Sequence, residues 1–303
     1  MKVFLFAYTD NGQQHFVLAD AMRTELGWDA KSMVMQETWL GFKTDWIYKR
    51  DLKEAQEFIK DADLFIFQDA LLSIENLDFQ KYVTPGNTII NGTGTRMRMH
   101  AQALRRMQEV GWRMVTSLCD STIASKIASP PFQNWIVPIE TINELTKGIE
   151  RNDEFSICHA PTNPTGKGTE KIEKIVKSVR NIRYERITGT PWEETIKRKA
   201  KSHMIIDSLG DNCYNAGNSL EGLVLGQHVL TAMDGWCLAT HDWIPITNIR
   251  ESTETAIKKT IEEAKRGDRN WMLREEKEWV EDHFGKKRQI KRWKNFIDWV
   301  MEG

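Results

Sequence analysis

Apolar residues fall in short runs separated by helical patterns along most of the chain. Runs at 3–8, 32–35, 64–68, 88–91 and 114–118 read as strands, and the stretches 13–26, 52–59 and 99–110 between them carry a helical period. The same alternation restarts after residue 150. Strands are expected at 155–159, 183–187, 203–209 and 228–233, and helices at 169–179, 191–200 and 218–226. The order β-α-β-α implies parallel sheets covered on both faces. The expectation is therefore an α/β protein of two tandem Rossmann-like parallel-sheet domains. The first spans 1–145 and the second 150–250, joined by a charged stretch at 140–153 with little strand pattern. The tail, 251–303, reads as two or three helices with Trp271, Trp279, Trp293 and Trp299 at roughly helical spacing. Its last helix is a candidate to pack back on the N-terminal domain.

Composition narrows this only slightly. The 303 residues suit two domains, and 40% hydrophobic with 28% charged residues is ordinary for a globular chain. No apolar run approaches the ~18 residues of a membrane span, and residues 1–8 read as a buried first strand rather than a signal peptide. Cys119, Cys158, Cys213 and Cys237 are scattered without metal-ligand spacing, which suits free thiols in the cytoplasm. A net charge of −1 argues against a protein that coats nucleic acid, though a local basic patch is compatible with it.

Two strand-to-helix junctions carry the chemistry. Residues 159–169 read His-Ala-Pro-Thr-Asn-Pro-Thr-Gly-Lys-Gly-Thr, and residues 217–226 read Gly-Asn-Ser-Leu-Glu-Gly-Leu-Val-Leu-Gly. Each follows a strand and opens a helix. Exposed helix N-terminal amides with Lys167 suit a diphosphate, and Glu221 suits a ribose diol. Leu220, Leu223, Val224 and Leu225 make the second helix apolar nearly all round, so Glu221 is expected to have a partner. His159, at a strand end, is the best placed of the acid–base candidates His15, His100 and His159. Gly92-Thr93-Gly94-Thr95-Arg96 follows another strand, and reads either as a loop with Arg96 as a charge partner for acceptor or phosphate or as a tight turn with a solvated arginine. Met97 stands where a dinucleotide fingerprint needs its third glycine, which argues against NAD. Asp61-Ala62-Asp63 precedes a strand rather than following one, and reads as helix-end acids; no metal is expected. Finally, 286–294 holds six basic residues in nine, with Trp293 among them: a solvated face or a nucleic-acid contact.

The second half resembles the donor domain of GT-B fold glycosyltransferases, in particular the large retaining family with two Rossmann-like domains. His-Ala-Pro-Thr-Asn…Lys-Gly-Thr is similar to that family's strand-end loop, and 217–229 to its glycine loop with Glu-Ala-Met-Ala-x-Gly-x-Pro-Val. Residues 91–96 resemble the acceptor domain's Gly-Ser-Asp-x-Arg stretch. The resemblance implies that Asn163, Lys167, Gly168, Gly217, Asn218, Ser219 and Glu221 bind the donor. His159 and Arg96 are the catalytic candidates, and the resemblance implies retention at the anomeric carbon. Cys213 stands in place of the first glutamate of the family's Glu-x7-Glu motif, and no arginine matches the one usually found before the Lys-Gly pair.

The function expected is transfer of a sugar from a nucleotide-sugar, a UDP-sugar first, to a hydroxyl acceptor without a metal. The leading acceptor is a 5-hydroxymethylpyrimidine in phage DNA, with double-stranded DNA held through 286–294. A glycosyltransferase of envelope polysaccharide synthesis, a nucleotide-sugar epimerase and an inactive nucleotide-binding module stand as alternatives.

Overall fold

The computed structural model describes residues 1–68, 77–92, 100–116, 134–212, 217–233, 235 and 243–302. The chain divides into two compact units: Met1–Ile136 with Phe284–Gly303, and Val137–His283.

The first unit holds a six-stranded parallel sheet, ordered β3-β2-β1-β4-β5-β6. Its strands are β1 (Lys2–Ala7), β2 (Asp29–Val34), β3 (Trp46–Ile47), β4 (Leu64–Gln68), β5 (Thr88–Gly92) and β6 (Arg113–Thr116). β1 and β4 are buried on both faces, as continuous Phe/Leu/Ile/Val runs require in a parallel sheet. Helix α1 (Gln14–Leu26) covers one face, and α2 (Leu52–Ile59) and α3 (Ala101–Glu109) supply the other. On the α1 side the core is completed from the chain's end. Ile290, Trp293, Ile297 and Val300 of the last helix join Val3, Leu5, Val17 and Ile66 there.

β2 begins three residues before the expected run because Asp29 pairs with Lys2 in the ladder. β3, two residues long, gives no periodic signal. The Asp61–Asp63 pair is structural, as read: the Asp63 carboxylate accepts the Lys2 backbone N–H at 2.6 Å, and Asp61 lies 3.8 Å from the Lys2 ammonium.

The second unit opens with α4 (Ile139–Thr146), so the stretch read as a linker is in part a helix, with Ile142 buried. A five-stranded parallel sheet follows, ordered β11-β10-β9-β7-β8. Its strands are β7 (Ser156–His159), β8 (Arg183–Arg186), β9 (Met204–Asn212), β10 (His228–Met233) and β11 (Thr247–Asn248). The helices are α5 (Pro164–Lys167), α6 (Thr169–Lys177), α7 (Trp192–Ala200), α8 (Gly217–Val224), α9 (Glu254–Lys265) and α10 (Met272–Phe284); α11 (Lys286–Glu302) returns to the first unit. Trp279 and Trp293 are core residues, whereas Trp271 and Trp299 are exposed. No described helix is long and apolar enough to cross a membrane.

Helix α8 lies against β9 and β10 at a glycine. A Cβ on Gly222 would meet Ile205 Cγ2 at 2.7 Å and Val229 Cγ2 at 2.9 Å. Gly222→Ala is therefore expected to lower stability by about 1–3 kcal/mol through overpacking. A thermal melt unchanged by this substitution would contradict the close approach.

Candidate functional site

In a parallel sheet, loops at the carboxyl ends of the strands gather side chains from elements far apart in sequence. At that edge of the second sheet, β7 ends in His159, α5 turns through Lys167, β9 passes Asp207 and α8 starts at Gly217. Asn163 caps α5, its Oδ1 accepting the Gly166 backbone N–H at 3.1 Å. Gly168 then takes a left-handed conformation (φ +69°), the turn from α5 into α6 that a side chain would strain. Gly210 admits the loop: a Cβ there would stand 2.5 Å from the Gly166 carbonyl oxygen.

Two ion pairs organise the edge. Lys167 Nζ donates to Asp207 Oδ1 at 2.8 Å, and Ser219 Oγ donates to Asp207 Oδ2 at 2.7 Å. The Asp207 side chain is wholly buried, and Lys167 retains 18% exposure, enough to meet a ligand. Burial pushes the Asp207 carboxyl upward, but Lys167 and Ser219 more than offset it and leave it below the usual carboxylate range. The second pair joins α7 to α8. Lys199 Nζ, wholly buried, donates to Asn218 Oδ1 at 2.6 Å and to Glu221 Oε2. Glu221 Oε1 accepts from Trp192 Nε1 at 2.8 Å, and Asn218 Nδ2 donates to the Ala160 carbonyl at 2.7 Å.

Lys167, Asn218, Ser219 and Glu221 are thus brought into one linked network, with Asn163, Gly168 and Gly217 on its loops. The side chains of Asn218 and Ser219 are spent on the scaffold, so a ligand would meet the start of α8 through its backbone amides. Glu221 has the partner that a glutamate in an apolar helix requires. Sequence reasoning missed Asp207, Lys199 and Trp192. Signals existed for two of them: Asp207 is a charge inside an apolar run, and Lys199 continues the Trp192, Ile196 stripe at i+7.

His159, the expected acid–base residue, ends β7. It is wholly buried; its Nδ1 lies 2.7 Å from the Ile206 carbonyl and its Nε2 2.8 Å from Thr169 Oγ1. Both ring nitrogens are engaged, and burial holds its pKa below the ordinary value. His15 is likewise enclosed, with Nε2 3.3 Å from Asn91 Nδ2, and burial lowers its pKa to about 3. His100 precedes α3 without a side-chain capping bond. Arg96, with the rest of 93–99, and Cys213 lie outside the described residues. No group of residues suited to a metal ion occurs among the described residues.

Two parallel sheets with alternating helices and a returning C-terminal helix define the GT-B glycosyltransferase fold, and the chain has that fold. No family model matches the sequence, and no curated protein does. Among solved structures, Anabaena Alr3699/HepE in complex with UDP and glucose is similar at TM-score 0.63 and 8% identity, over 98% of this chain and all of that one. WaaG, a glycosyltransferase of lipopolysaccharide biosynthesis, is similar at TM-score 0.60 and 12% identity, over 99% and 100%. A Listeria monocytogenes protein assigned as a UDP-N-acetylglucosamine 2-epimerase follows at 0.51 and 10%, over 96% and 94%.

Proposed function

We propose that this chain is a glycosyltransferase that takes its sugar from a nucleotide-sugar, a UDP-sugar first. The observation that carries the reading is the convergence of Lys167, the amino end of α8 and Glu221 on one strand edge. A lysine ammonium and helix-start amides are complementary to the charge that builds on a departing diphosphate. They supply that stabilisation without a metal. Glu221, though held by Lys199 and Trp192, keeps free lone pairs on its oxygens for ribose hydroxyls. His159 positions the loop, tying β7 to β9 and to the start of α6, and we assign it that role in place of catalysis. The complex of the HepE structure with UDP and glucose supports a UDP-sugar donor.

Lys167→Ala and Glu221→Gln are each expected to weaken nucleotide binding by about 1–3 kcal/mol, through loss of charge-assisted contacts. Calorimetric titration with UDP, GDP and ADP measures this. Wild-type affinity in both variants would place the site elsewhere.

For the acceptor we propose a 5-hydroxymethylpyrimidine in duplex DNA. The support is a basic strip on α11: Lys287, Arg288, Lys291 and Lys294 are exposed while Ile290, Trp293 and Ile297 dock the opposite face. Mass spectrometry of hydroxymethylated duplexes after incubation with nucleotide-sugars tests it, a gain of one sugar being the expected result. Release of free nucleotide with no gain in the DNA would move the acceptor to a glycan. A converted sugar with no acceptor present would make the protein an epimerase.

A further inference from the structure

The charges built into the strand edge cancel. Lys167 is matched by Asp207 and Lys199 by Glu221, two cations against two anions. Lys199 is wholly buried and turned to its partners. A diphosphate arriving there brings negative charge to an edge where both described lysines are already matched, in surroundings where unpaired charge is costly.

Arg186 stands beside this edge. It is the last residue of β8, and the β7–β8 register pairs it with His159, the last residue of β7. Its side chain is 41% exposed, and its contact with Glu173 of α6 is long, at 4.0 Å. A half-exposed pair at that distance contributes little to stability and is given up at small cost. The field of Arg186 reaches the same imidazole as that of Lys167: both act to lower the His159 pKa, behind the larger effect of burial. By position, Arg186 ends the strand paired with β7 at His159, and Lys167 lies on the loop that follows β7. The ordinary role for an arginine on an edge strand is to keep that edge soluble. Arg183 begins β8, opposite Ser156, whereas Arg186 ends it, opposite His159 at the carboxyl end of the sheet.

We propose that Arg186 is the second cation of the donor diphosphate site, leaving Glu173 for a phosphate oxygen when the nucleotide binds. This rests on the nucleotide-sugar reading of the edge. A guanidinium offers two parallel N–H donors to phosphate where an ammonium offers a point charge, so arginine and lysine should differ at this position.

The test compares wild type, Arg186→Gln, Arg186→Lys, Glu173→Gln and Lys167→Ala. Each is titrated with whichever of UDP, GDP or ADP the wild type binds, and with the matching nucleoside by ligand-observed NMR. Arg186→Gln is expected to lower diphosphate affinity about tenfold or more while leaving the nucleoside within about twofold. Arg186→Lys should recover part of the loss, and Glu173→Gln, which frees the guanidinium, should bind at least as tightly as wild type. If Arg186→Gln binds like wild type while Lys167→Ala loses affinity, the second-cation role is overturned and the nucleotide-sugar reading stands. Equal weakening toward nucleoside and diphosphate would also overturn it, since the effect would not lie at the phosphates. If wild type binds none of the three nucleotides, the reading fails and the role of Arg186 with it.

Discussion

Lys199→Met is expected to lower stability by about 3–5 kcal/mol, because it strips the counter-charge from Glu221 inside the fold. Glu221 would keep its bond from Trp192 Nε1 but lose the ammonium on its other oxygen, and Asn218 Oδ1 would lose its donor. The loss falls on the start of α8, so nucleotide affinity should drop together with stability. Denaturant unfolding measures the first effect, and calorimetry on the folded fraction the second. The double variant Lys199→Met with Glu221→Leu should recover much of the stability, since removing both charges avoids an orphan, yet none of the binding. A single variant as stable as wild type would show that the ammonium does not carry the pair.

Glu276→Gln should do the opposite and stabilise the protein, increasingly as pH rises. Glu276 on α10 is wholly buried, and neither carboxyl oxygen has a hydrogen-bond partner. Burial raises its pKa from 4.5 to about 9, with Arg151 offsetting only part of the effect. Arg151 is turned instead to the carbonyls of Leu225 and Gly226. Between those two pH values the folded chain holds a proton that the unfolded chain has released. Stability contributed by the protonated group is therefore whole below pH 4.5 and is lost as pH rises toward 9. The slope is about 1.4 kcal/mol per pH unit. Glutamine keeps the shape and carries no proton to lose, so the gain should reach about 5 kcal/mol at pH 8 and vanish near pH 4. Unfolding midpoints of both proteins across that range decide it; parallel curves would mean that Glu276 does not titrate as described.

Much of the fold was legible because buried parallel strands leave an unambiguous trace. Phe4, Leu5 and Phe6, or Phe65, Ile66 and Phe67, form runs too apolar to be anything exposed, with amphipathic helices between them. What stayed hidden was set by pairing rather than periodicity. β3 and β11 are two residues long, and only a neighbouring strand defines them. In the site, Lys167 and Glu221 stood out because each lies beside glycines or in an apolar helix where its type is conspicuous. Lys199 did not, since Lys-Arg-Lys near a helix end ordinarily means a solvated face, and its burial depends on where α8 packs. The surroundings of His159 were hidden for a related reason. Position at a strand end was legible, but the partners that engage both ring nitrogens come from Ile206, 47 residues on, and Thr169. The two junctions were legible as strand-to-helix turns more readily than the hydrogen bonds their side chains make.

The last helix has a consequence for how the chain is made. Trp293 of α11 is wholly buried against residues from the first strands and helix, and its indole N–H reaches the Asn134 carbonyl at 3.3 Å. During synthesis the sheet β1–β6 emerges with that face uncovered and must wait while some 150 residues of the second unit follow, a time in which exposed apolar surface invites aggregation. The second unit, by contrast, is contiguous and can close as soon as His283 has left the ribosome. The part translated first is the part completed last.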